Sequence, residues 1–124
     1  MDATLELAKT FFDAAERGDI GALKACYAPN AKIWHNTDEL EQTPDDNAKT
    51  LEAFVARISN RRYDDRRTHE FPGGFVQQHT LTGIKAKDGT AVRLPACIVC
   101  AVENGRITRL DEYFDSAAVA RFRS

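Results

Sequence analysis

The hydrophobic period of this chain changes near Arg61, and that change limits what it can fold into. Before it, apolar residues fall mainly at helical spacing. Leu5, Ala8, Phe12 and Ala15 mark one face of a first helix, with Phe11 beside them. Asp2 or Thr4 can cap its start and Gly18 can end it. Asp19 caps a short second helix over residues 20–27, which Pro29 stops. Residues 31–36 alternate as a strand, with Trp34 and Asn36 on one face and Ile33 and His35 on the other. Thr43 and Pro44 then suit the start of a helix. Leu51, Phe54, Val55 and Ile58 follow at i, i+3, i+4 and i+7, the clearest amphipathic pattern in the chain.

From Arg61 onward the period is two. Residues 61–71 form a charged extended segment, broken by Pro72-Gly73-Gly74. Residues 75–86 alternate, and Asp88-Gly89-Thr90 marks a turn. Residues 92–102 are a nearly continuous apolar strand, and Asn104-Gly105 is a strong hairpin signal. Residues 106–114 supply the partner strand, and Asp115 or Ser116 caps a terminal helix. Helices segregated from antiparallel strands mean an α+β fold. We expect a curved antiparallel sheet whose concave face is only partly filled by helices, leaving a pocket. The length of 124 residues suits a single domain spanning 1–124.

Composition excludes several classes of partner. The net charge of −2 gives no field for holding nucleic acid. No apolar run approaches the roughly 20 residues that span a bilayer, so no membrane is expected. The acidic N-terminus does not resemble a signal peptide, and a cytoplasmic location is the expectation. Cys97 and Cys100 have CxxC spacing, but on a strand residues three apart face opposite ways. With Cys26 they read as structural thiols. Three scattered histidines make no metal ligand set. No glycine-rich loop joins a strand to a helix, and no cofactor is expected. The run 61–70 reads as a solvated, charge-laced edge.

The helix ending in Gly18-Asp19, the second ending in Tyr27-Ala28-Pro29 and the strand 31–36 together resemble the opening of SnoaL-like domains. These belong to the nuclear transport factor 2-like superfamily. Residues 102–117, VENGRITRLDEYFDSA, resemble the closing hairpin of that group. The resemblance covers nearly the whole chain. The superfamily includes polyketide cyclases, ketosteroid isomerase and limonene epoxide hydrolase, and also members that only bind or assemble. It implies the cone-shaped fold, often a dimer through the outer sheet face, and no single chemistry.

Parity then selects candidate site residues. Asp111 and Tyr113 share a face, as do Gln77, His79 and Leu81, and as do Trp34 and Asn36. If all face the cavity, His79 and Asp111 are its catalytic acid/base pair. Gln77, Leu81, Trp34, Asn36, Tyr113, Cys97 and Val99 would line it, under an apolar roof of Phe12, Phe54 and Ile58. His35 and His69 have the parity or setting of exposed residues and take no role. Trp34 and Asn36 resemble the aromatic-x-Asn of limonene epoxide hydrolase, and Asp111 its closing-strand carboxylate. Gln77 and His79 stand where that enzyme has Arg-x-Asp, so His79 with Asp111 looks more like the acid/base set of the polyketide cyclases. The function implied is a cofactor-independent isomerase, cyclase or hydratase acting by proton transfer on a small apolar carbonyl or polyketide-like substrate. The alternative is a non-catalytic small-molecule-binding or dimerisation domain. The strand 93–102 has apolar side chains on both faces, which predicts a homodimer through the outer one.

Overall fold

The computed structural model describes residues 3–124. Helix α1 (Ala3–Arg17) buries Ala8, Phe11, Phe12, Ala14 and Ala15, the stripe set by its apolar spacing. Thr4 lies inside the helix, and Asp2, the other candidate cap, lies outside the described residues. Gly18 ends α1 at φ +76°, where a Cβ would also meet Arg61 Nη2 at 2.7 Å. The turn requires glycine there.

Helix α2 (Ile20–Lys24) is capped by Asp19, as expected, but stops three residues before Tyr27. Tyr27 instead opens strand β1 (Tyr27–His35). Its ring is buried edge-on against Phe11, with centroids 5.4 Å apart. Burying that ring outweighs another helical turn. A short strand β2 (Glu41–Gln42) precedes helix α3 (Pro44–Arg57). Thr43 and Asp46 close a reciprocal capping box at the start of α3. Strands β3 (Ile58–Phe71), β4 (Gly74–Lys85), β5 (Ala91–Glu103) and β6 (Arg106–Phe114) follow, then helix α4 (Ser116–Arg123), capped by Asp115.

The strands form one curved, unclosed sheet in the order β2-β1-β6-β5-β4-β3. Only the β1–β6 pair is parallel among the described strands. Asn104 and Gly105 both take positive φ in the β5–β6 turn, the geometry that matches strand twist. Two register shifts bend β3, and Asn60 and Asp65 hold positive φ within them. Arg66 ties this strand to α1 through Asp13 and Glu16, at 2.7 and 3.2 Å. The edge predicted to be solvated is therefore partly docked.

Two apolar clusters fill the concave face. One lies under α1 and α2 around Phe12, Ile33, Phe75, Ile98 and Leu110. The other lies under α4 around Ile58, Leu81, Leu94, Val119 and Phe122. Tyr63 packs against both. No described helix is long and apolar enough to cross a membrane.

Candidate active site

Strand register decides which side chains face the cavity. Ile33 pairs with Leu110 and is 1% exposed, while Leu110 is 3% exposed, so this pair marks the inner face. Two residues on, the same face presents His35 and Glu112, which also pair in register. Glu112 lies beside Ile98, which lies beside Gln77. Leu110, Glu112, Ile98, Gln77, His79 and Leu81 therefore share the concave side.

His35 Nε2 lies 3.1 Å from Glu112 Oε1, and both side chains are under a fifth exposed. The His35 ring stacks on Phe114 at 5.9 Å. Both charged residues line a cavity of about 150 Å³ between the sheet, α3 and α4. Its apolar wall includes Leu51, Phe54, Ile58, Leu81, Leu94 and Phe122. A smaller cavity of about 50 Å³ lies deeper, under α1, and shares His35, Tyr63 and Glu112 with the first. A polar patch borders the α3 side. There Asn47 Nδ2 donates to Gln42 Oε1 at 3.1 Å, and Gln42 Nε2 donates to Thr50 Oγ1 at 3.3 Å.

Burial pulls the His35 pKa down, but the hydrogen bond and charge of Glu112, aided by Asp38, outweigh it and leave it raised. His79 shifts the other way, because burial dominates and Glu112 offsets it only in part. Thr68 Oγ1 donates to Gln77 Oε1 at 2.8 Å. That orientation makes Gln77 Nε2 the donor to His79 Nδ1, 2.9 Å away. The His79 proton then sits on Nε2, which is buried without a hydrogen-bond partner among the described residues. The ring is packed by Phe12 and Tyr63, with centroids at 5.2 and 4.9 Å. His79 is thus an oriented imidazole beneath the cavity floor, where burial disfavours its charged form.

A SnoaL-like domain profile matches residues 8–110, most of this helix-covered curved sheet. The chain belongs to the SnoaL-like domain family. The match stops two residues short of Glu112. Among solved structures, a candidate polyketide cyclase from Xanthomonas campestris is similar at TM-score 0.87, with 18% identity over 98% of this chain and 97% of that one. A protein of ketosteroid isomerase-like fold from Catenulispora acidiphila, in complex with trimethylamine, is similar at TM-score 0.83, with 14% identity over 94% and 90%. An LEH-like epoxide hydrolase of M. tuberculosis is similar at TM-score 0.78, with 18% identity over 97% and 88%. At these identities the likeness concerns the fold. No curated protein sequence matches this one.

In this SnoaL-like domain the residues expected from parity divide between two faces. Gln77, His79 and Leu81 point inward, Phe12 roofs the deeper cavity, and Phe54, Ile58 and Leu81 line the larger one. Asp111 does not face His79. It pairs in register with Val99 on the convex side and receives a hydrogen bond from Arg109 Nε at 3.0 Å. Arg109 in turn reaches Glu41 at 2.6 Å. Tyr113, Cys97 and Val99 share that convex face, as does Trp34, whose ring meets Tyr113 at 5.3 Å. Asn36 is spent on the backbone of Phe114, donating to its carbonyl and accepting from its N–H at 3.0 Å each. The cause is the phase of β1 and β6. Trp34 and Asp111 come one residue after the buried pair Ile33 and Leu110 and so face outward, while upstream a register shift puts an extra residue between Ile107 and Arg109. The extra residue reverses the alternation, so Ile107 and Leu110 are both buried. The carboxylate facing inward is therefore Glu112, and the histidine beside it is His35, which parity had placed outside. Cys97 and Cys100 do point to opposite faces.

Proposed function

We propose that this SnoaL-like domain is a cofactor-independent acid/base enzyme that moves a proton on a small apolar carbonyl compound, with Glu112 and His35 as the catalytic pair. The observation that supports this most is the 3.1 Å His35–Glu112 contact inside an apolar cavity. A carboxylate with one oxygen held by an imidazolium keeps its other oxygen for a C–H proton. Glu112 takes a proton from the carbon next to the carbonyl, and the C–H electron pair shifts into a C=C bond as the carbonyl becomes an enolate. The positive charge of His35 stabilises that oxyanion at short range in a low-dielectric site. In a β,γ-unsaturated substrate the enolate is conjugated. Return of the proton from Glu112 to the γ-carbon then moves the C=C bond to the α,β position as the carbonyl re-forms, which completes an isomerisation. In a saturated substrate the proton returns to the same carbon as exchange.

The pairing also supports a second reading. Glu112 and His35 largely neutralise each other, as a structural ion pair would, in a domain that only binds its ligand. In both readings the partner is a small molecule, and the convex face with Trp34, Val99 and Tyr113 supports a homodimer.

Deuterium incorporation next to the carbonyl of cyclohexanone in D2O, with isomerisation of cyclohex-3-enone, tests the chemistry. Wild-type protein is expected to accelerate both above buffer. Glu112→Gln should lower the rates about 10²- to 10⁴-fold, the usual weight of a general base. No acceleration by wild type, with ligand binding retained, replaces the enzyme by the binding domain.

A further inference from the structure

Two arginines converge on the cavity from different helices. Arg57 ends α3 and Arg123 ends α4, and both line the same 150 Å³ space as Glu112. Both are exposed, whereas Ile58, Leu81 and Leu94 of the same wall are buried. The arginines therefore stand at the rim and the carboxylate–histidine pair stands within. Neither arginine has a carboxylate within ion-pair distance among the described residues. Among the described residues Arg17, Arg62, Arg66 and Arg109 are ion-paired, whereas Arg61, Arg67, Arg93, Arg106 and Arg121, like Arg57 and Arg123, are not. A place in the last helical turn favours a cation through the helix dipole. That accounts for each arginine alone; what sets this pair apart is that two guanidinium groups from different helices meet at the rim of one cavity. The single acid there, Asp38, already accepts the Leu40 N–H at 3.0 Å.

The volume sets a second limit. An apolar protein cavity of about 150 Å³ takes one benzene-sized ring. The larger chamber here has that size, and the deeper one adds only about 50 Å³.

We propose that the ligand of this site is a single-ring or similarly small molecule carrying a carboxylate, which Arg57 and Arg123 hold at the rim while the uncharged part lies against Phe54, Leu81 and Phe122. The inference rests on the proposed site around Glu112 and narrows its substrate to small organic acids. A planar guanidinium matches a carboxylate with two parallel hydrogen bonds, so two arginines suit this group well.

Calorimetric titration with phenylacetate, phenylacetamide and benzyltrimethylammonium tests this without turnover. Phenylacetate is expected to bind at least tenfold tighter than the amide. Arg57→Gln and Arg123→Gln should each reduce that preference while leaving phenylacetamide affinity unchanged, which also shows that the pocket remains folded. 2-Naphthylacetate should bind at least tenfold more weakly than phenylacetate. Equal affinity for acid and amide, no measurable phenylacetate binding, or tighter binding of the quaternary cation overturns the carboxylate assignment. Equal affinity for the naphthyl acid overturns the size limit. Loss of proton exchange in Glu112→Gln is read separately, so the carboxylate preference and the catalytic role stand or fall independently.

Discussion

His35 and Glu112 meet at 3.1 Å across the parallel β1–β6 pair, two residues beyond the buried Ile33–Leu110 contact. The same apolar pair that closes the core therefore aims the charged pair into the pocket. This fixes a pH signature. The His35 pKa is raised above its ordinary 6.5 against the pull of burial, chiefly by Glu112. Its stabilisation is fully present below pH 6.5 and is lost as pH rises through the higher folded value. His79 has a folded pKa below 6.5, lowered by burial. Its neutral form favours the fold above pH 6.5, and that contribution falls as pH drops from 6.5 toward the folded value. Urea unfolding from pH 4 to 9 should thus show two separate windows. Glu112→Gln should flatten the slope between pH 6.5 and about 8 and steepen the one from His79 below it, because Glu112 partly offsets the effect of burial on His79. Above about pH 8 the buried Cys26 and Cys100 add a slope of their own, so a slope between pH 6.5 and about 8 that survives Glu112→Gln would contradict the assignment.

The Thr68–Gln77–His79 chain predicts a tautomer. Nitrogen-15 NMR should find His79 mainly neutral at pH 6.5, with its proton on Nε2. Gln77→Leu strands His79 Nδ1 in the interior, an orphaning that costs about 1–3 kcal/mol, and frees the hydroxyl of the half-buried Thr68 at smaller cost. Thr68→Val should cost less, since it leaves the Gln77–His79 bond intact. A His79 proton found on Nδ1 would mean that Gln77 is oriented the other way.

Much of the fold was legible because its signals are local. The capping box at Thr43 and Asp46, the positive-φ pair at Asn104-Gly105 and the glycine stop at Gly18 each act within a few residues. The phase of a strand is different, because it depends on pairing. Parity alone puts Asp111 and Tyr113 on one face but does not say which face that is. Large aromatic side chains gave no help, since Trp34 and Tyr113 pack together on the convex face. A usable signal was present in Ile33 and Leu110. Counting forward by two from those residues leads to His35 and Glu112.

The convex face carries the prediction of assembly. Tyr113 is 45% exposed there, beside half-buried Trp34, Cys97 and Val99. Sedimentation velocity at micromolar concentration is expected to show a dimer. Val99→Arg, which puts a charge at the centre of that face, should yield a folded monomer with the same circular dichroism. A wild-type monomer would rule this surface out as a stable interface.

Helix α4 links stability to the pocket. Asp115 Oδ1 accepts the Ala117 N–H at 3.1 Å and caps this eight-residue helix. Val119, Phe122 and Arg123 of the same helix form one wall of the cavity, and Phe122 stacks on Phe54 of α3 at 5.9 Å. So short a helix holds its shape through its cap and its packing more than through propensity. Asp115→Ala should cost about 1 kcal/mol, the usual loss on removing such a cap. Binding should suffer as well, because a frayed α4 releases both the apolar wall and the guanidinium at the rim. Phenylacetate and phenylacetamide should then weaken together, unlike in Arg123→Gln, where only the acid does. Asp115→Asn keeps an accepting oxygen and should restore both affinities. If Asp115→Ala lowers the melting temperature but leaves both ligands bound as before, α4 is not part of the binding wall.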